Sequence, residues 1–165
     1  MAEETIIERP EPALIKVPRF AEERFSLEVD YDADPRELAR LGLFDDVNPE
    51  VFRFFDGLGQ PLPHGRATIE MVLTNFRTDL KHQEVPMRIE ELNRRSAHPI
   101  ELLTFGVRHR EEQRTKMILT LQRLLGVERC PGALCLWGTN RFRNIGIYWV
   151  ADTVSRLSWF ASVPK

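Results

Sequence analysis

The stretch Ile100-Glu-Leu-Leu-Thr-Phe-Gly-Val107, followed after Arg108-His109 by Arg110-Glu-Glu-Gln-Arg-Thr-Lys-Met-Ile-Leu-Thr-Leu-Gln-Arg-Leu-Leu125, decides the fold. The first eight residues form a short apolar run and read as a strand. The second segment spaces Met117, Ile118, Leu121, Leu124 and Leu125 three and four apart, the stripe of an amphipathic helix. Glu111 and Glu112 fall in its first turn, Arg123 in its last, and Gly126 follows as the stop, as the helix dipole and C-cap favour. Downstream, Ala133 to Trp137 reads as a strand, Gly138-Thr-Asn140 as a turn and Ile145 to Val150 as the returning strand. Leu157, Trp159, Ala161 and Val163 alternate as one more. The order strand, helix, strand, strand, strand predicts an α+β domain: a mainly antiparallel sheet with one long amphipathic helix packed on it.

Working back toward the N-terminus, Phe25, Leu27, Val29 and Tyr31 alternate with Ser26, Glu28, Asp30 and Asp32, the pattern of a half-buried strand. Asp34-Pro35 supplies an N-cap and a first-turn proline for a short helix from Arg36 to Leu41, which Gly42 closes. Asn48-Pro49 repeats the device for a turn through Val51, Phe52 and Phe55. Asp56 to Gly65 holds three glycines and two prolines and reads as a loop. Arg66 to Phe76 alternates as a strand, although the same residues accommodate a helix. Glu84 to Arg95 is expected to be helical, ending over Ser96 to Pro99. Residues 1–24 carry Pro10, Pro12 and Pro18 among glutamates and read as an extended, proline-rich arm in front of a single domain at 25–165. Leu14, Ile15, Val17 and Phe20 are the arm's candidate anchors for a partner.

The 165 residues carry a formal net charge of −2 and are 42% apolar. That length suits one domain with its own core. The total conceals a polarity: residues 1–60 hold 15 acidic and 7 basic side chains, net −8, and the remainder 10 acidic and 16 basic, net +6. Such a division favours complementary surfaces for protein neighbours or a basic face for nucleic acid. Cys130 and Cys135 fit neither a disulfide framework nor a zinc site, and reduced thiols are expected. The N-terminus lacks a basic start with a long apolar core, and no window approaches a membrane span, so neither a signal peptide nor membrane insertion is predicted.

The search for catalytic chemistry returns no motif, no metal site and no cofactor cradle. His64, His82, His98 and His109 are scattered, and Gly57-Leu-Gly59 lacks both the third glycine and the strand-to-helix setting of a dinucleotide loop. Asp30, Asp32 and Asp34 lack the glycine and distal glutamate of a calcium loop. An enzyme drawing on Asp30, Asp32 or His109 is the weakest alternative. Arg94, Arg95, Arg108, Arg110, Arg141 and Arg143, with aromatic neighbours at Phe142, Tyr148 and Trp149, form the alternative of a nucleic-acid-binding accessory domain, against which stands a sequence pI near 6.1. Tyr148, Trp149 and Val150 in succession imply burial on both sheet faces, one of which a neighbouring subunit would complete.

Glu101-Leu-Leu, Leu121-Gln-Arg-Leu-Leu125, Cys130-Pro-Gly-Ala-Leu-Cys-Leu-Trp-Gly138, Arg141-Phe-Arg-Asn-Ile-Gly-Ile147 and Leu157-Ser-Trp-Phe160 resemble a segment of phage and contractile-injection-system baseplate proteins at the tube-to-spike junction. The resemblance implies a strand before a helix, then a proline-led strand ending in Trp-Gly, then an aromatic-arginine turn into a Gly-Ile strand. Its departures are the absence of a LysM module, so peptidoglycan binding is not carried over, and of the family's Gly-x-Pro-x-Arg-Ala phrase, whose nearest relative is displaced to Gly59-Gln-Pro61 and Arg66-Ala67-Thr68. The resemblance implies a non-enzymatic virion component, assembled in the host cytoplasm, that acts as a baseplate or tube-end adaptor. Its expected partners are tube, spike or wedge subunits and further copies of itself in a homo-oligomer or ring, through Leu14, Ile15, Val17, Phe20, Arg141, Phe142, Arg143, Tyr148 and Trp149.

Overall fold

A computed structural model describes residues 19–56, 63–121, 132–149 and 153–165. Strand β1 (Ala21–Asp30) runs antiparallel to β3 (Arg66–Asn75) over its whole length, Ala21 opposite Asn75 and Asp30 opposite Arg66. It therefore takes in Ala21 to Arg24, which the sequence assigns to the arm. Helix α1 (Pro35–Leu41) opens where Asp34 accepts a bond from the Arg36 N–H, at 2.8 Å. The short strand β2 (Asp46–Val47), a single 3-10 turn at Pro49–Phe52 and helix α2 (Arg53–Asp56) follow. After β3 come β4 (Leu80–Lys81), α3 (Glu84–Glu91), β5 (Arg94–Ser96), α4 (Pro99–Arg108), α5 (Glu112–Thr115) and β6 (Met117–Thr120). The chain ends with β7 (Gly132–Gly138), β8 (Arg143–Trp149), β9 (Thr153–Val154) and β10 (Ser158–Pro164).

Eight strands form one sheet in the order β1-β3-β10-β6-β7-β8-β2, with β5 added against β10. Most neighbours are antiparallel, but β10 runs parallel to β6 and β2 parallel to β8. The architecture is mixed α/β with helices on both faces and no long helix among the described residues. It replaces the expected α+β form of a mainly antiparallel sheet under one long amphipathic helix.

The correction centres on residues 100–120, where helix and strand exchange places. Ile100 to Val107 is helical, inside α4. Pro99 sits in the first turn, and the Glu101 carboxylate reaches back to accept the His98 N–H at 2.7 Å. Every residue from Pro99 to Gly106 is buried, so no polar stripe marks the helical period and a buried helix reads like a buried strand. The expected helix at Arg110 to Leu125 is one turn, α5, and then Lys116 turns extended at φ −131° and ψ 140°. Met117 to Thr120 enters the sheet between β10 and β7. Pairing on both sides outweighs the helical spacing of its apolar residues. Leu124, Leu125 and Gly126 lie outside the described residues. The helix expected over Glu84 to Arg95 stops at Glu91, Asn93 takes a left-handed φ of 57°, and Arg94 starts β5. Arg66 to Phe76, open between strand and helix, is strand β3.

Two apolar layers result. On one face, Leu27, Val29, Met71, Leu73, Ile118, Leu134, Leu136, Ile145 and Ala161 pack under Leu102, Leu103 and Phe105 of α4. On the other, Leu119, Ala133, Cys135 and Phe160 meet Val85 and Ile89 of α3 and Leu80 and Val154 of the two-stranded ribbon β4-β9. The face that seemed to need a neighbouring subunit is thus covered here by the chain itself.

One buried carboxylate ties α4 to the sheet. Glu101, fully buried, accepts from Tyr31 Oη at 2.6 Å, from both terminal nitrogens of Arg95 at 2.7 and 2.9 Å, and from the His98 N–H. Burial pushes its pKa up, but the Arg95 and Tyr31 bonds outweigh burial and hold it below its ordinary value. A depressed carboxylate stabilises the fold above the unfolded-state pKa and loses that contribution as pH falls through the folded one. Unfolding midpoints in urea are expected to fall as pH drops below the ordinary glutamate value of 4.5. Glu101→Gln should cost about 3–5 kcal/mol at neutral pH, because Arg95 loses its counter-ion, and should make the acid decline shallower. Equal stability and an unchanged acid profile would refute this role.

Candidate functional site

The turn between β7 and β8 is short and heavily bonded. The Thr139 N–H donates to Phe142 O at 2.9 Å, and the Arg141 N–H to Thr139 Oγ1 at 3.1 Å. From α5, Arg114 Nη1 donates to Thr139 O and Asn140 O at 3.1 and 3.2 Å. Gly138 is required here, since a Cβ would stand 2.4 Å from Phe142 O. Just before it, the Trp137 ring, 41% exposed, meets Phe142 edge-to-face at 5.6 Å. Across the pair of strands the indole lies over Gly146, where a Cβ would meet Trp137 Nε1 at 3.6 Å, an ordinary van der Waals contact. Arg141 is exposed on the turn itself. The result is a fixed aromatic pair beside a guanidinium, the side-chain types that anchor protein interfaces at low entropic cost.

The other residues named from sequence divide. Leu14, Ile15 and Val17 lie outside the described residues. Phe20 packs edge-on to Phe76 at 6.3 Å. These two rings with Leu80 line an open cavity of about 620 Å³ rimmed by Arg19, Arg77 and Arg88. Arg143 is buried and unavailable to a partner. It donates to Gly42 O at 2.8 Å, Gly106 O at 2.5 Å and Gln113 Oε1 at 3.0 Å, and its guanidinium stands over the Phe44 ring. Burial, then the nearby Arg110 and Arg114 charges, lower its pKa. Tyr148 is half-buried against the second apolar layer, and Trp149 is exposed opposite Gly132, at the far end of the strand pair from Trp137. The sequence therefore grouped residues that the fold separates. Read as part of a run of basic residues, Arg114 was given no place at this turn; the one signal there was the glycine that ends the strand directly after the indole.

The basic and acidic alternatives are similarly redistributed. Arg94 is buried, 2.6 Å from Glu22 and 3.2 Å from Thr74 Oγ1, and Arg95 is bound to Glu101. Arg110 donates to Leu41 O at 3.1 Å, while Arg108 is exposed. Asp30 pairs with Arg66 at 3.1 Å, Asp32 accepts the Gly65 N–H at 2.9 Å, and His109 stacks between Phe25 and Phe105 at 4.9 and 4.8 Å. Asp30 and Asp32 thus hold a strand end and a turn together, and His109 fills the margin of the core. Among the described residues no cluster of three His, Cys, Asp or Glu could hold a metal ion, and no helix is long and apolar enough to cross a membrane.

No family model matches the chain, and neither the curated proteins nor the solved structures provide a match. Beside this, the strand-then-helix order implied by the baseplate resemblance is reversed over residues 100–120, where α4 precedes β6.

Cys135 lies on β7 with its thiol pushed up to about 12 by burial, far from thiolate reactivity. Iodoacetamide treatment of the folded protein at pH 8 followed by peptide mapping is expected to leave Cys135 unmodified and to alkylate it after denaturation. Rapid alkylation in the folded state would show a reactive thiol.

Proposed function

We propose that this domain is a non-enzymatic assembly module that docks onto another protein through the β7-β8 turn, with Trp137 and Phe142 as anchors and Arg141 as the charged contact. The observation that carries the reading is the Trp137 indole: large, 41% exposed, and held on a turn that leaves it little freedom to lose on binding. An exposed aromatic on a mobile loop would pay for ordering; this one is already placed by Arg114, Gly138 and Gly146. The setting that the sequence resemblance suggests is a phage tail or related contractile machine, in which the chain would act as a baseplate or tube-end adaptor joined to tube, spike or wedge subunits. The polarity of charge along the chain suits such a role, since opposed surfaces select partners by attraction and by like-charge exclusion.

The nucleic-acid alternative is weakened by the loss of half its arginines to internal contacts: Arg94, Arg95 and Arg143 are all engaged inside the fold. What remains exposed, Arg108, Arg110 and Arg141, is a thin footprint for phosphate binding.

A photo-crosslinking amino acid at position 140, exposed on the same turn, expressed in the native cell, is expected to give one discrete protein adduct in tail-like particles, abolished by Arg141→Glu, whose thermal melting should match the parent. Single-stranded DNA should show no salt-sensitive binding in fluorescence anisotropy. Absence of any adduct, or tight salt-sensitive DNA binding lost in Arg141→Glu, would overturn the docking reading in favour of its alternatives.

A further inference from the structure

We infer that the outer edge of β1 pairs antiparallel with the same edge of a second copy of this chain, about a two-fold axis at Ser26. This goes beyond the docking turn, which lies toward the opposite end of the sheet order.

Three observations carry it. First, β1 is ten residues long, pairs with β3 without a bulge, and meets no strand on its other side among the described residues. A long free edge is a template for another strand unless it is blunted; Ala21–Asp30 contains no proline, and its charged residues Glu22, Glu23, Arg24, Glu28 and Asp30 bar any strand that does not match them. Second, residues opposite one another across an antiparallel pair share a face. The core-facing row Phe25, Leu27 and Val29 must therefore meet its own kind, which admits only a few registers.

Third, length and charge choose among those registers. Centred on Ser26, residues 22–30 of both strands overlap, Arg24 stands opposite Glu28 twice, and Phe25 opposite Leu27 twice. Arg24 and Glu28 are both exposed; Arg24 already bonds Glu70 at 2.8 Å and Glu22 at 3.4 Å, and its guanidinium adds the second copy's Glu28 to that network. The remaining acidic pairing, Glu22 opposite Asp30, is tolerated because each already has a cation of its own, Arg94 at 2.6 Å and Arg66 at 3.1 Å. Centred on Phe25 instead, Glu22 would oppose Glu28 twice and Arg24 would face only serine. Centred on Leu27, Arg24 would oppose Asp30 twice, but only residues 24–30 overlap, so it is length rather than charge that favours Ser26 over this register. The Ser26 register thus combines the greater length with two opposite-charge pairs. The half-buried Phe25, already packed on Phe105 and His109, gains cover from the second strand. Both copies then present their α4 helices on the same side of one continuous sheet.

The register fixes a symmetric cross-link. In a full-length Cys130→Ser background, Ser26→Cys places two thiols directly opposite each other, at the Cα separation a disulfide requires. Mild oxidation is expected to give a covalent dimer. Glu23→Cys, opposite Val29 in this register, should give none. By sedimentation velocity the parent chain should dimerise, Glu28→Arg should weaken dimerisation about tenfold by setting arginine against Arg24, and Arg24→Glu combined with Glu28→Arg should restore it. A parent chain that remains monomeric, no cross-link at Ser26→Cys, or equal cross-linking at Glu23→Cys would overturn the inference. Trp137→Ala should leave the Ser26→Cys cross-link intact, so failure here and failure of the docking turn are read separately.

Discussion

The sheet depends on its last strand. β10 pairs with β3 on one side and with β6 and β5 on the other, joining β1-β3 to the β6-β7-β8-β2 half. Among the described residues, the two halves share no ladder without Ser158–Pro164. The same strand feeds both apolar layers, Ala161 and Val163 toward α4 and Phe160 toward α3 and the β4-β9 ribbon. Its pairings with β3, β5 and β6 are long-range in sequence, the kind of contact that slows folding.

Around that join, buried charge is used as mortar. Glu101 gathers Tyr31, Arg95 and the start of α4, while Arg143 gathers the end of α1, the α4 residue Gly106 and Gln113 beside α5. Gln113 in turn donates to Trp137 O and Asn144 O at 3.1 and 3.0 Å, tying α5 to the strands that carry the turn. The rigidity of the docking turn is thus inherited from the interior, through α5. Buried groups of this kind are expensive unless bonded; Arg143 bonds through both terminal nitrogens while its Nε has no hydrogen-bond partner, and arginines that look like a binding face in the sequence are thereby engaged inside.

What could be read in advance was whatever local chemistry decides. The alternation of β1, the Asp34-Pro35 helix start and the turn after Gly138 all carry their own signals. Residues 100–125 do not, because Ile100 to Val107 is apolar throughout and Met117 to Thr120 has the same composition as the helix face expected there; long-range pairing with β10 and β7 decides both. The run Tyr148-Trp149-Val150 suggested burial on both sheet faces, but Trp149 is 57% exposed; the cover that the two faces do have was not visible, since β4 and β9 are two residues each and leave no pattern. Of the candidate site, Arg141 and Phe142 were legible from the aromatic-basic turn. Arg143, two positions on from Arg141, enters the strand and is buried, a difference of environment that spacing alone does not reveal.

If the interior holds the Trp137–Arg141 turn ready for docking, hydrogen-exchange mass spectrometry of the isolated chain and of the same chain in its native assembly should show added protection at the turn with unchanged exchange in α4 and β10. Protection elsewhere with none at the turn, or a general slowing through α4 and β10, would contradict docking through that turn.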